Sequence, residues 1–274
     1  MPRALSWSRN SILKLSLVSL VIFVVISLNA RADEPTPEQA ARAVAGLTRE
    51  SRAVIDRLTE LRELPDGQWK THPGDLAHGE AVDLDDSGWE AIALKSELPN
   101  RSAWFRQTYE VPQTLHGYDP SGVRIWFQFH ASATGPMPEI IYFNGRRVAM
   151  GDDLEPILLF NNARPGDRVT VAVKLMLTVD KKTINGATLK IDFPAARPSP
   201  EDLREEFLSA ALLVPSLVPN ATSEMSTLNR AIGAVDLKAL DAKDQNEFDD
   251  SLRDAHNKLG ALVPVVELLV KIEW

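Results

Sequence analysis

The chain has 274 residues, a formal charge of −8 and no cysteine. Its length gives room for one sizeable domain plus additional helices, because single domains run from roughly 50 to 250 residues. The negative balance argues against nucleic acid or an anionic membrane as partner, since both need a basic face, and the lack of any thiol excludes disulfide stapling, a lipid-bearing cysteine and thiol catalysis.

Arg3, Arg9 and Lys14 precede an uncharged apolar run from Leu15 to Leu28, and Ala30-Arg31-Ala32 follows with small residues on either side of one position. That order predicts a secretory signal over residues 1–32, cleaved after Ala32, and a secreted or periplasmic protein. The run is short of the roughly 20 apolar residues a membrane span needs. An uncleaved signal anchor is the alternative, and the only membrane association expected.

Residues 33–65 predict a helix. Thr36 is a cap, Pro37 suits the first helical position, and Gln39 is placed to close a capping box. Val44, Leu47, Val54, Leu58 and Leu61 recur at three- and four-residue spacing, with Ser51 filling one place in the stripe. Pro65-Asp66-Gly67 ends the pattern, which predicts one helix from Thr36 to Leu64.

Residues 66–194 read as short strands between turn clusters, among them Asp119-Pro120-Ser121-Gly122, Asn144-Gly145, Arg164-Pro165-Gly166-Asp167 and Asn185-Gly186. The expected strands are Trp104 to Val111, Val123 to Phe129, Glu139 to Phe143, Arg146 to Met150, Arg168 to Leu177 and Ala187 to Ile191. Strands without intervening helices favour a sandwich over a parallel sheet. In the first, Phe105, Gln107, Tyr109 and Val111 alternate with Trp104, Arg106, Thr108 and Glu110. Asn144-Gly145 between apolar runs predicts a two-residue hairpin, because a type I′ turn needs φ > 0 at both central positions. Val169, Val171 and Val173 should face the core.

Residues 195–274 return to helical spacing. Ser199-Pro200-Glu201-Asp202 caps a helix with Leu203, Phe207, Ala210 and Val214 along one side. A second helix is expected over Ser223 to Leu240. A third, about Asp244 to Lys271, aligns Phe248, Leu252, Ala255, Leu259, Leu262, Val266 and Leu269 in one seam that Pro264 interrupts.

Signals for chemistry are sparse. The five histidines are scattered with no cysteine beside them, no phosphate loop is present, and no Gly-x-Ser-x-Gly elbow nominates a serine. No catalytic residue, metal or cofactor is therefore expected. Glu139 with Asp152 or Asp153 lies near the Asn144-Gly145 hairpin, and the expected role is that of solvated strand ends and turns rather than a glycosidase pair. Sugar binding needs a flat aromatic surface beside planar polar groups. In Arg124-Ile125-Trp126-Phe127-Gln128-Phe129-His130 one face carries Arg124, Trp126, Gln128 and His130, the best sugar-contact row in the chain. A strand covered by a neighbouring domain would show the same row. Trp104 and Arg106, sharing a face of their own strand, are candidates to join it.

The strand from Trp104, the Asn144-Gly145 hairpin, Asp86-Ser87-Gly88-Trp89 before them and Ala163-Arg164-Pro165-Gly166-Asp167 after them resemble, in that order, the galactose-binding-like jelly-roll modules of glycoside hydrolases. Beyond Pro194, the stretches Ala231-Ile232-Gly233-Ala234-Val235-Asp236-Leu237 and Phe248-Asp249-Asp250-Ser251-Leu252 resemble the N-terminal region of bacterial α-mannosidase-like proteins of glycoside hydrolase family 38. The resemblance implies a mainly β fold with flanking helices, a jelly-roll β-sandwich between an N-terminal helix and a C-terminal helical segment. That segment would be a linker or would dock a partner. The metal-binding His-x-Asp and nucleophilic aspartate of that family have no counterpart in this chain. The implied function is a non-catalytic accessory module of an exported glycosidase, with a catalytic domain and glycan as partners. A stand-alone carbohydrate-binding protein and an envelope scaffold are the alternatives.

Overall fold

The computed structural model describes residues 37–98, 101–176 and 182–262. The predicted signal segment, the Thr36 cap and the seam residues beyond Leu262 lie outside them. The chain divides into two compact units at Gly46 and Leu47. In the first, α1 (Pro37–Ala45) carries an Arg42–Glu38 pair one turn apart at 2.5 Å.

The second unit opens with α2 (Arg49–Thr59), so the stripe expected to form one long helix is broken between Ala45 and Arg49. The reason is local. Thr48 adopts an extended backbone, and its hydroxyl accepts a hydrogen bond from the Ser51 amide, a cap that starts a new helix. Ser51, Val54, Ile55 and Leu58 form the buried face. Glu63 and Leu64 are strand rather than helix, pairing with Lys190 and Leu189.

Two antiparallel sheets pack as a sandwich. Their strands are β1 (Glu63–Leu64), β2 (Lys70–Pro73), β3 (Glu90–Ala91), β4 (Glu97–Leu98), β5 (Ala103–Glu110), β6 (Arg124–Ser132), β7 (Glu139–Phe143), β8 (Arg146–Gly151), β9 (Ile157–Phe160), β10 (Arg168–Leu175) and β11 (Lys182–Asp192). One sheet has the order β1-β11-β6-β9, with β4 also on β11; the other runs β3-β2-β5-β10-β7-β8. We refer to them as the β6 sheet and the β5 sheet. Between them Phe105 meets Phe129, Tyr109 meets Phe127, and Phe127 meets Phe143, with ring centroids 5.7–6.0 Å apart. Trp69, fully buried, packs on Tyr109, Phe127 and Phe129. Each such ring contributes roughly 2–3 kcal/mol by leaving water. Val169, Val171 and Val173 are buried as expected.

The Asn144-Gly145 turn forms as the dipeptide predicts, with φ of 48° and 75° and Phe143 paired to Arg146. Asn185-Gly186 does not form a turn. It lies within β11, where the register against β6 shifts between Ile184 and Gly186. Both a turn and a bulge favour glycine at positive φ, here 102°, and the choice falls to Asp66. Its carboxylate accepts from Trp69 Nε1 (3.1 Å), Tyr109 OH (2.7 Å) and the Ala187 amide (2.8 Å), joining the two sheets. A Cβ at Gly186 would lie 2.6 Å from Asp66 Oδ2.

The helical part contains α3 (Pro200–Leu217), α4 (Thr222–Ile232), α5 (Leu237–Asp241), α6 (Gln245–Leu259) and a 3₁₀ turn, Gly260–Leu262. The helix expected over Ser223 to Leu240 is thus two, because Gly233 ends one and the Asp236 carboxylate accepts the Lys238 and Ala239 amides to start the next. The third helix runs to Leu259 and passes into the 3₁₀ turn, and the rest of the span expected to reach Lys271 lies outside the described residues. Leu228, Ile232, Leu240, Phe248, Leu252 and Leu262 are buried in the described helical core. That core is fixed to the sandwich. Phe248 stacks edge-on against Tyr118 (5.4 Å), whose hydroxyl donates to Asp249 (2.9 Å). Arg197 lies over the same Tyr118 ring at 4.8 Å while donating to the carbonyls of Ser121 and Asp119.

Candidate functional site

The six residues expected to contact sugar fall on opposite outer faces of the sandwich. Arg124, Trp126, Gln128 and His130 line the outside of the β6 sheet, since Ile125, Phe127 and Phe129 are buried on the inside. Trp104 and Arg106 lie on the outside of the β5 sheet and do not join that row. This corrects the expectation that placed Trp104 and Arg106 as candidates to join the Trp126 row.

Trp104 and Arg106 are also not open. Both are only 2% exposed. The segment around Gly79 covers them so closely that a Cβ at Gly79 would meet the Trp104 ring at 2.5 Å. Arg106 Nη1 donates to the Gly79 and Ala81 carbonyls (2.8 and 2.9 Å), and Nε donates to Asp86 Oδ2 (3.1 Å). Burial would raise the Asp86 carboxyl, but hydrogen bonds from Lys70 and Arg106 hold it below its ordinary value. Arg106 is therefore a buried structural cation that ties the covering segment to the sheet.

On the other face the row is partly engaged. Arg124 is paired with Asp192, Gln128 Nε2 donates to the Leu154 carbonyl (3.1 Å), and His130 Nε2 lies 2.8 Å from Thr188 Oγ1. Trp126, half-buried, stands between Leu158 of β9 and Lys190 of β11 in register. It forms one wall of a cleft of about 360 Å³, whose other walls include Asp192, Ser199, Glu201, Asp202 and Glu205.

The opposite wall is the start of α3. Ser199 caps it by accepting the Asp202 amide, and acids in a first helical turn complement the positive end of the helix dipole. Glu201 is 6% exposed, its Oε1 is 3.8 Å from Arg62 Nε, and its Oε2 is buried with no hydrogen-bond partner. Burial raises its carboxyl above the ordinary value, with Arg62 and Arg204 opposing. Leaving a buried acceptor unpaired costs on the order of 1–3 kcal/mol. Sequence reasoning recognised Ser199 to Asp202 only as a helix cap. Nothing in its spacing reveals that the cap faces Trp126.

Glu139 departs from the expected solvated strand end. It is 4% exposed, and burial, then the charges of Asp152 and Asp153, push its carboxyl up to about 7. Among the described residues no three His, Asp or Glu side chains are placed to hold a metal ion. Among them, too, no helix is long and apolar enough to cross a membrane.

No protein-family model matches the sequence. No curated protein matches it significantly. Several solved structures show partial similarity to the fold. A glycosyl hydrolase family 2 member from Bacteroides cellulosilyticus is 22% identical over 47% of this chain and 20% of that chain, with a TM-score of 0.37. A β-glucuronidase from Bacteroides uniformis is 17% identical over 47% of this chain and 17% of that one, TM-score 0.35. One from Ruminococcus gnavus is 14% identical over 47% and 28%, TM-score 0.31. The chain thus spans less than a third of the length of each. The partial resemblance found is to family 2 glycoside hydrolases, and the family 38 resemblance is not shown.

Proposed function

We propose that this chain is an exported, non-catalytic module of glycoside-hydrolase type, a sandwich with attached helices that contacts glycan at the Trp126 cleft and serves a catalytic glycosidase domain. One observation carries the glycan contact: a half-open indole faces a helix start that presents Glu201, whose buried Oε2 has no partner. A pyranose has an apolar C–H face that suits an indole, and hydroxyls that donate to carboxylates. The sequence motifs supply the rest of the reading. They favour a galactose-binding-like jelly roll and an α-mannosidase-like catalytic partner, and the residues before Asp33 favour export.

The test is retention on an array of neutral glycans, followed by calorimetric titration of whichever glycan is retained. Trp126→Ala should lower affinity at least tenfold, and Glu201→Gln should lower it while leaving the melting temperature unchanged or higher. Binding that survives both substitutions would remove the cleft from the reading. The chain alone should give no turnover of aryl mannosides above blank, with or without zinc. Turnover that disappears with a point substitution would overturn the non-catalytic reading.

A further inference from the structure

Strand β8 ends the β5 sheet, and among the described residues nothing pairs with its outer edge. Open edges are usually protected by a central charge, a proline or extreme shortness. This one has six residues, and its middle is apolar: Val148 is 37% and Met150 64% exposed. A bulge against β7 leaves Val148 without a partner on that side, since Ile141 pairs with Ala149 and Tyr142 with Arg147.

The charges lie at the two ends of the strand and have opposite signs. Arg146 and Arg147 begin it, and Asp152 and Asp153 follow it. All four are exposed, and none forms an ion pair with a described residue. A sequence that is basic at one end and acidic at the other is complementary to itself when run antiparallel.

We propose that β8 is a self-association edge, pairing antiparallel with β8 of a second copy about a two-fold axis at Met150. Neighbouring strands lie about 4.8 Å apart, and each residue advances about 3.3 Å. A pair centred near Met150 therefore brings the arginines that begin the strand in each copy beside the bend that carries Asp152 and Asp153 in the other, at both ends at once. The interface is isologous, so it closes on itself as a dimer. It joins two β5 sheets into one and covers Val148 and Met150. Another protein would match this edge only if it carried the same alternation in reverse. A second copy carries it by construction of the sequence, which is why the occupant is this chain itself. An edge contact of this size belongs to the weak class of interfaces. The proposal does not rest on the glycan reading.

The test is sedimentation equilibrium of the full chain in low salt, where dimer should appear between about 10 and 100 µM and decline as salt screens the end charges. Arg146→Glu with Arg147→Glu should weaken dimerisation at least tenfold, and so should Asp152→Lys with Asp153→Lys. An equimolar mixture of these two double variants should recover it, because each then faces the other's opposite charge at both ends. Met150→Cys would be the only thiol in the chain, and mild oxidation should give a disulfide-linked dimer. Leu213→Cys on α3 should not. A parent that stays monomeric to about 1 mM, or a dimer indifferent to both charge reversals, would overturn the proposal.

Discussion

The two outer faces of the sandwich begin from nearly mirrored sequence and reach opposite ends. Trp104-Phe105-Arg106 and Arg124-Ile125-Trp126 each place a tryptophan and an arginine on the side away from the core. On the β5 sheet a segment crosses above them, its Gly79 and Ala81 carbonyls engage the guanidinium, and both side chains are sealed. On the β6 sheet the arginine is exposed beside Asp192, and the indole faces a cleft. Strand alternation decides which residues share a face. Whether that face is then covered depends on backbone arriving from elsewhere.

The largest test of this contrast is Arg106→Ala. It leaves the Gly79 carbonyl without a donor and the Ala81 carbonyl with only the Leu84 amide, and it removes one of the two cations holding Asp86, so the loss should be about 2–4 kcal/mol. Urea denaturation should show a loss of that size, and a loss under about 1 kcal/mol would mean that the covering segment contributes little. Glu139→Gln examines a buried charge that, unlike Arg106, has no opposite charge acting on its titration. Its folded value of about 7 stands above the ordinary 4.5, so the folded state binds the extra proton and wild-type stability falls as pH rises through that window. At pH 8 the glutamine variant should be more stable by about 1–3 kcal/mol, and at pH 4 the two should match. A constant difference across the range would show that Glu139 is not the titrating group. Gly145→Val tightens the covered face further, since the hairpin tip lies beside Glu80 and Val82 and its φ is 75°. About 1–2 kcal/mol should be lost, read as a lower melting temperature. The smallest expected change is Trp126→Ala, under about 1 kcal/mol in stability. A loss of several kcal/mol there would make the β6 face as structural as its counterpart.

How much of this was legible depends on where the information lay. Glu139 to Phe143 and its return strand were readable because alternation, aromatic residues and Asn144-Gly145 all lie within one short window. Glu63-Leu64 and Glu97-Leu98 were not readable: two residues carry no period, and they are strands only because β11 lies beside them. Ile157–Phe160 was missed because a short apolar run has no alternation to distinguish it. Asn185-Gly186 was misread because its signal, glycine at positive φ, is common to turns and bulges. For the site, the Trp126 row was visible within its strand. The wall facing it was not, because Glu201 and Asp202 come from a helix whose placement is set by contacts such as Arg204 with Thr59 (2.7 Å). The covering of Arg106 was invisible for the same reason.

The join between sandwich and helices has a mechanical meaning. Where the chain leaves β11, Arg197 is held over Tyr118 and Phe193 and donates to two backbone carbonyls, and Asp249 of α6 accepts the Tyr118 hydroxyl. A joint built this way acts as a rivet, not a hinge. The helices cannot swivel freely on the sandwich without breaking several polar contacts together, so they behave as a strut. Whatever grips α4 or α6 thereby aims the Trp126 face, and orientation passes along the molecule without any moving part.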